Sequence, residues 1–335
     1  MINKFIKKLK IKSLNINIYI LTIKMNLSTP THMNFDGLKI GESETIKLAD
    51  ALKNNNITKS LYLGRNNIGV NGAIAIANVV KNNTTMEVLN LEINSIGNRG
   101  AIAIANALKV NTTLRVLNIY GCNLGKNGIT AIANALKINT GLEKLYIGYN
   151  NIGNDGAFEI ANALKINTTL KKIHMTESKI GDVGAIAIAN ALKTNNTLTR
   201  LHIGYNMFDS PGAIAILNSI SDNNSLEKLD ISCGKIGVND LVVDIFRNNT
   251  TLKKLCMNYC DINATMVANI IKVNSGLEVL YICKNNIKIC DKDMIENAIL
   301  FNFTLKELHG IPIDKNLLSE ENRNLKKRFL TTKRC

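Results

Sequence analysis

A 28-residue period constrains this chain more than any other feature. Leu-x-Leu anchors, with Ile standing in once, fall at Leu61, Leu89, Leu117, Leu145, Ile173, Leu201 and Leu229, each 28 residues after the last. Two shortened steps lead to Leu255 and Leu280, and a 28-residue step then reaches Leu308. Stepping back from Leu61 lands on Met33, where Met33-Asn34-Phe35 and Ile40-Gly41 keep the pattern and mark a cap-like first turn near residue 30. Self-similarity at this period means one supersecondary unit stacked on itself, with each unit burying its neighbour's apolar face. About ten turns and a cap result, and the 335 residues need no second domain.

Within one turn, Leu145 and Ile147 alternate at the two-residue period of a strand. Asn150 then turns inward, where its amide can satisfy backbone groups left unpaired by a bend. Asn94, Asn206 and Asn285 share that position, as do Cys122 and Cys260, which assigns those two thiols a structural role. Gly156 to Lys165 has helical spacing and small alanines that allow close packing. A polar Asn-Thr-Thr, as at 111–113 and 167–169, closes the helix. The Asn-x-Ser/Thr sequons at Asn83, Asn111, Asn167 and Asn249 are read as this same helix-ending chemistry. Pairs such as Gly69 with Gly72 and Gly153 with Gly156 are read as requirements of a tight turn.

The expected fold class is therefore α/β, a leucine-rich-repeat solenoid or horseshoe with an inner parallel β-sheet and outer helices. The pattern over residues 30 to about 312 resembles the ribonuclease-inhibitor-like class of leucine-rich repeats, including the repeat regions of nucleotide-binding innate immune receptors. That resemblance implies a concave sheet used for protein recognition. It does not extend to a phosphate-binding loop: Gly121 to Asn127 is the nearest approach, with the wrong spacing and no hydroxyl for magnesium. The repeat portion of Ran GTPase-activating proteins is similar too and offers an alternative reading as an enzyme regulator, or an inhibitor-type binder. Those proteins carry an acidic tail where this chain is basic. An F-box or effector domain would need more residues than the stretch before the first turn provides.

The net charge is +15, but residues 1–29 hold six lysines and no acid, and residues 313–335 have a surplus of four basic groups. A surplus of five is left for residues 30–312, too small to argue for nucleic acid. Seven cysteines, an odd number unevenly spread, do not make a secreted disulfide framework and point to a reducing, cytoplasmic setting. The first 24 residues imitate a secretory leader, yet Asn15 and Asn17 interrupt the apolar run and no small-residue cleavage site follows. A start at Met25 or Met33 accounts for the same stretch. No apolar run is long enough for a membrane span. The expected organisation is a basic, poorly ordered leader over 1–29, the repeats over 30–312, and a basic helical cap and tail over 313–335. Asn316 to Leu330 reads as the amphipathic cap, and Lys326-Lys327-Arg328 with Lys333-Arg334 as a solvated cap face, or alternatively a nuclear-import or anionic-surface patch.

No catalytic constellation, cofactor site or metal site emerges, and the chain is read as a non-enzyme with no small-molecule substrate. Function is expected on the sheet. The residue before the anchor reads Lys144, Lys172, Arg200, Lys228 and Lys254 in five consecutive turns. Like charges on adjacent strands oppose folding, so such a column needs an external reason, and an acidic protein surface would supply one. Beside it lie Tyr146, His174, His202 and Asp230, then Tyr149, Glu177, Tyr205 and Tyr259; aromatic area next to cations is typical of protein-binding hot spots. The competing reading is a solvated face neutralised by Glu143 and Glu227. His174 and His202 should be neighbours about 4.8 Å apart, a partner-facing pair rather than a metal pair.

Overall fold

A computed structural model describes residues 30–237 and 241–321, which fall into two compact units divided between Leu142 and Glu143. The expected leader, and the tail and cap residues beyond 321, lie outside the described residues.

The first unit contains four three-residue strands, β1 (His32–Asn34), β2 (Ser60–Tyr62), β3 (Val88–Asn90) and β4 (Val116–Asn118). Each pairs in parallel with the next. The helices α1 (Glu42–Leu52), α2 (Gly69–Asn82), α3 (Gly97–Leu108) and α4 (Lys126–Leu136) alternate with them and pack side by side. The second unit repeats this with β5 (Lys144–Tyr146), β6 (Lys172–His174), β7 (Arg200–His202), β8 (Lys228–Asp230), β9 (Lys254–Cys256), β10 (Val279–Tyr281) and β11 (Glu307–His309). Its helices are α5 (Gly153–Leu164), α6 (Asp182–Leu192), α7 (Ser210–Ile220), α8 (Leu241–Asn248), α9 (Ala264–Val273) and α10 (Lys292–Leu300). Eleven parallel strands thus alternate with helices, the leucine-rich-repeat architecture that the period implies, with β1 as the cap turn.

The core lies between strand and helix. Leu145, Ile147, Ile173, Met175, Leu201 and Ile203 are fully buried from the strand side. Ala157, Ile160, Ala161 and Leu164 of α5 recur at the i, i+3, i+4, i+7 spacing of one helix face and are buried against them. The glycine pairs serve two purposes rather than one. Gly69 opens α2 with φ +65, as a tight turn requires, whereas a Cβ on Gly72 would lie 2.8 Å from Ile68 Cγ2 and 3.1 Å from Thr45 Cβ, so it is helix packing that demands glycine there.

Three sets of polar side chains tie one turn to the next. In the inner set, Asn206 Nδ2 donates to Met175 O (2.9 Å) and Ile203 O (2.6 Å), while its Oδ1 accepts from Ser178 N and Ile180 N. Asn94 does the same in the first unit. Cys122 and Cys260 sit fully buried at this position, with Sγ donating to Leu91 O and Ile231 O respectively.

At the helix ends, Asn195 Nδ2 donates to Leu164 O (2.7 Å) and Asn167 O (3.3 Å) one turn back, and Oδ1 accepts from Thr197 N and Leu198 N. Asn111, Asn139, Asn223, Asn249 and Asn274 act alike and are buried. The sequon asparagines at 111, 167 and 249 are therefore core residues as well as turn formers. The third set caps helices across turns: Asn154 Oδ1 accepts from Gly181 N and Gly184 N at the start of α6, and Asp182 Oδ1 from Asp209 N and Gly212 N at the start of α7. The orphan amides of one helix are thus satisfied by the helix before it.

Candidate functional site

The cation column is real in register and lies wholly within the second unit. Lys144 pairs with Lys172, Lys172 with Arg200, Arg200 with Lys228, and Lys228 with Lys254 across β5 to β9. Leucine or isoleucine at the next position faces the core, so alternation sends these five side chains to the opposite face of the sheet. Lys144 is exposed and the other four are half-buried.

Neither neighbouring glutamate is in an ion pair with the column among the described residues. Glu143 pairs with Lys171 at 3.2 Å, outside the column, and Glu227 makes no ion pair among the described residues. None of the five column cations is in an ion pair among the described residues. Two of them are held by aromatic rings instead. Lys172 Nζ lies 4.6 Å from the Tyr146 ring centre and donates to its hydroxyl (3.2 Å); Lys254 Nζ lies 4.5 Å from the Tyr281 ring centre and 3.4 Å from that hydroxyl.

The row two residues further along pairs Tyr146 with His174, His174 with His202, His202 with Asp230, Asp230 with Cys256, and Cys256 with Tyr281. The His174 and His202 rings stack at 5.2 Å, close to the strand spacing expected from sequence, and Tyr146 tilts against His174 at 6.0 Å. Burial, with the His202 and Lys172 charges after it, pulls the His174 pKa down to about 4. Burial and then Lys172 also lower that of His202, against the opposing pull of Asp230, whose Oδ2 lies 4.0 Å from His202 Nδ1. Both imidazoles are therefore neutral at neutral pH, and the positive charge of this face resides in the lysines and arginine.

Tyr149, Tyr205 and Tyr259, 60%, 45% and 48% exposed, share the outer row with Glu177 and Cys233. Each tyrosine holds positive φ between 53 and 57, a left-handed conformation costly for a residue with a Cβ. Gly121 occupies the same place in its own turn, with φ +61. Burial raises the Tyr205 phenol, with Cys233 and Asp230 adding to the effect. Cys256 faces the column side while Cys260 is buried, so the two do not converge. Among the described residues no group of three or more His, Cys, Asp or Glu is placed to hold a metal ion, and no helix is long and apolar enough to cross a membrane.

Sequence reasoning missed Tyr281. It follows Leu280 as Tyr146 follows Leu145, so continuing the row beyond the shortened turns would have found it.

The model of the Leucine Rich repeat family matches seven segments, residues 53–77, 82–105, 110–133, 139–161, 167–189, 194–217 and 222–242. No curated protein matches the sequence. Similar solved structures include an internalin from Listeria monocytogenes, at 18% identity and TM-score 0.49, with 91% of this chain and 90% of that chain covered. Leiomodin-1 actin-binding site 2 is similar at 18% identity and TM-score 0.28, covering 62% of this chain and 96% of the other. The tropomodulin C-terminal domain of Caenorhabditis elegans is similar at 13% identity and TM-score 0.37, covering 54% and 93% respectively.

Proposed function

Because this chain is built of leucine-rich repeats, we propose that it is a non-enzymatic protein-binding module whose sheet face from β5 to β9 engages an acidic surface of a partner protein. Leucine-rich repeats generally serve as protein–protein interaction modules, and nothing in the catalytic chemistry of acids, bases or nucleophiles is needed to account for the residues on this face. The observation that carries the reading is the column itself: five cations in register on adjacent strands, none in an ion pair among the described residues. Like charges carried by adjacent strands repel, by up to roughly 1 kcal/mol for a pair that closes to the strand spacing in the dielectric of water, before screening by salt. A fold has no use for that cost, whereas a binding face recovers it when an acidic surface docks. Tyr149, Tyr205 and Tyr259 flank the column with low-entropy contact area.

Strands joined to full α-helices in 28-residue turns support the ribonuclease-inhibitor-like subtype. A cytoplasmic setting is part of the same reading, resting on the odd number and uneven spread of the seven cysteines in the sequence.

The test is affinity capture from cell extract with the wild type and with a variant carrying Lys144, Lys172, Arg200, Lys228 and Lys254→Glu, after circular dichroism has shown both to be folded. Proteins captured by the wild type, released as salt rises and lost by the folded variant are the expected result. Identical capture by both would remove this face from consideration.

A further inference from the structure

The column is not uniform along its length. Lys172 on β6 reaches to Tyr146 on β5, and Lys254 on β9 reaches to Tyr281 on β10, so these two side chains lean in opposite directions. Arg200 and Lys228 stand between them, and their side chains make no hydrogen bond or ion pair among the described residues. The divergence leaves a recess of about 210 Å³ ringed by Lys172, Arg200, Lys228 and Lys254, with His202 and Asp230 in its lining. Four permanent cations face one carboxylate there. That carboxylate is already engaged, accepting from Ser232 N at 3.0 Å and lying beside His202.

Size and charge density select the occupant. A carboxylate brings one charge and two acceptor atoms, and matching three uncompensated cations would require several of them crowded beside Asp230. A phosphate monoester concentrates about 1.5 to 2 negative charges and three strong acceptor oxygens on one centre. The guanidinium fork of Arg200 suits two of those oxygens, and the Lys228 ammonium a third. The recess is several times the roughly 30 Å³ share of a water molecule, room for a phosphate with its ester carbon. A nucleic-acid strand would need the cations to continue. Beyond Lys254 the same position holds Val279 and then Glu307, which ends the column.

We propose that the recess between Lys172 and Lys254 receives a phosphorylated serine or threonine side chain of the partner protein. The inference rests on the reading of this face as the protein-binding surface and specifies its chemistry. Arg200 and Lys228 contact the phosphate, Lys172 and Lys254 hold the field around it, and Tyr205 and Tyr259 border the path of the flanking peptide.

The full-length chain is titrated with three probes: a ten-residue glycine/alanine peptide carrying one phosphoserine, the same peptide with glutamate in its place, and a ten-nucleotide uridine oligomer. Binding is read from the His202 and His174 imidazole resonances. The phosphopeptide is expected to bind at least fivefold more tightly than the glutamate peptide and to move the His202 signal. An Arg200→Gln, Lys228→Gln double variant should weaken it at least tenfold, and Lys165→Gln, Lys193→Gln, two exposed lysines at helix ends, should leave it unchanged. Equal binding of the two peptides, both lost in the Arg200 and Lys228 variant, overturns the phosphate proposal and leaves the acidic-partner reading standing. Weakening by both double variants alike overturns it as diffuse charge attraction. Tighter binding of the uridine oligomer, dependent on Arg200 and Lys228, overturns it in favour of a strand. Absence of any imidazole shift with either peptide, while proteins are still captured through the column, overturns this site alone.

Discussion

Lys172 Nζ sits 4.6 Å from the centre of the Tyr146 ring, with its ammonium donating to the phenol oxygen at 3.2 Å. Lys254 and Tyr281 repeat the arrangement in mirror sense four strands away. Ring faces and phenol oxygens thus do for these two cations what carboxylates do elsewhere, holding them without cancelling their charge.

Removing either ring should loosen its lysine. Tyr146→Ala and Tyr281→Ala are each expected to lower stability in urea denaturation by about 0.5–1 kcal/mol beyond the loss of buried ring area. Tyr146→Phe, which keeps the ring and loses the hydroxyl, should recover most of the difference. A phenylalanine variant as unstable as the alanine one would show that the hydroxyl contact, not the ring, holds Lys172.

Stability should depend on pH through the stacked imidazoles. His174 titrates near 4 in the folded chain against 6.5 for an unperturbed imidazole, so between those values the unfolded state binds more protons. Unfolding free energy is therefore highest above pH 6.5 and falls as pH drops through 6.5 towards 4, with His202, shifted in the same direction, adding to the slope. Urea midpoints measured across that range test this. His174→Gln should flatten the curve, and an unchanged slope would assign the effect to other groups.

Two adjacent asparagines should differ sharply. Asn195 is buried and makes four hydrogen bonds to backbone groups, two of them in the preceding turn. Its replacement by alanine leaves several buried backbone groups unpaired and is expected to cost about 2–4 kcal/mol. Asn196, the next residue, is exposed, and Asn196→Ala should stay within about 0.5 kcal/mol of wild type. Thermal or urea melts decide it; equal costs would deny the helix-end ladder its role.

The thiols should divide by burial. Desolvation pushes Cys122 and Cys260 up to about 12 and Cys256 to about 11, while Cys290 is exposed. Iodoacetamide at pH 7.5, followed by peptide mass mapping, should label Cys290 before the other described cysteines and leave Cys122 and Cys260 unmodified until the chain unfolds. Rapid native labelling of Cys260 would contradict its place inside the turn.

Much of the fold was legible in the sequence because it is set by local, repeated requirements. The anchors at Leu145, Ile173 and Leu201 fixed strand positions and register, and with them the side of the sheet that carries Lys144 to Lys254. The inward Asn206 and the thiols in its column followed from the same arithmetic. The column's state of charge did not. Glu143 is next to the column in sequence, but it pairs with Lys171, its neighbour in register on the following turn.

The period is written in the amino acids, and through it which residues face the core and which face out. The tertiary structure alone decided that Lys172 and Lys254 lean apart, that Asn195 and Asn154 bond into neighbouring turns, and that a recess opens at Arg200 and Lys228. The physical reason is reach. Backbone alternation is settled within two residues, whereas a lysine ammonium or an asparagine amide takes its partner from another strand or helix 26 to 31 residues distant, and only packing brings those together.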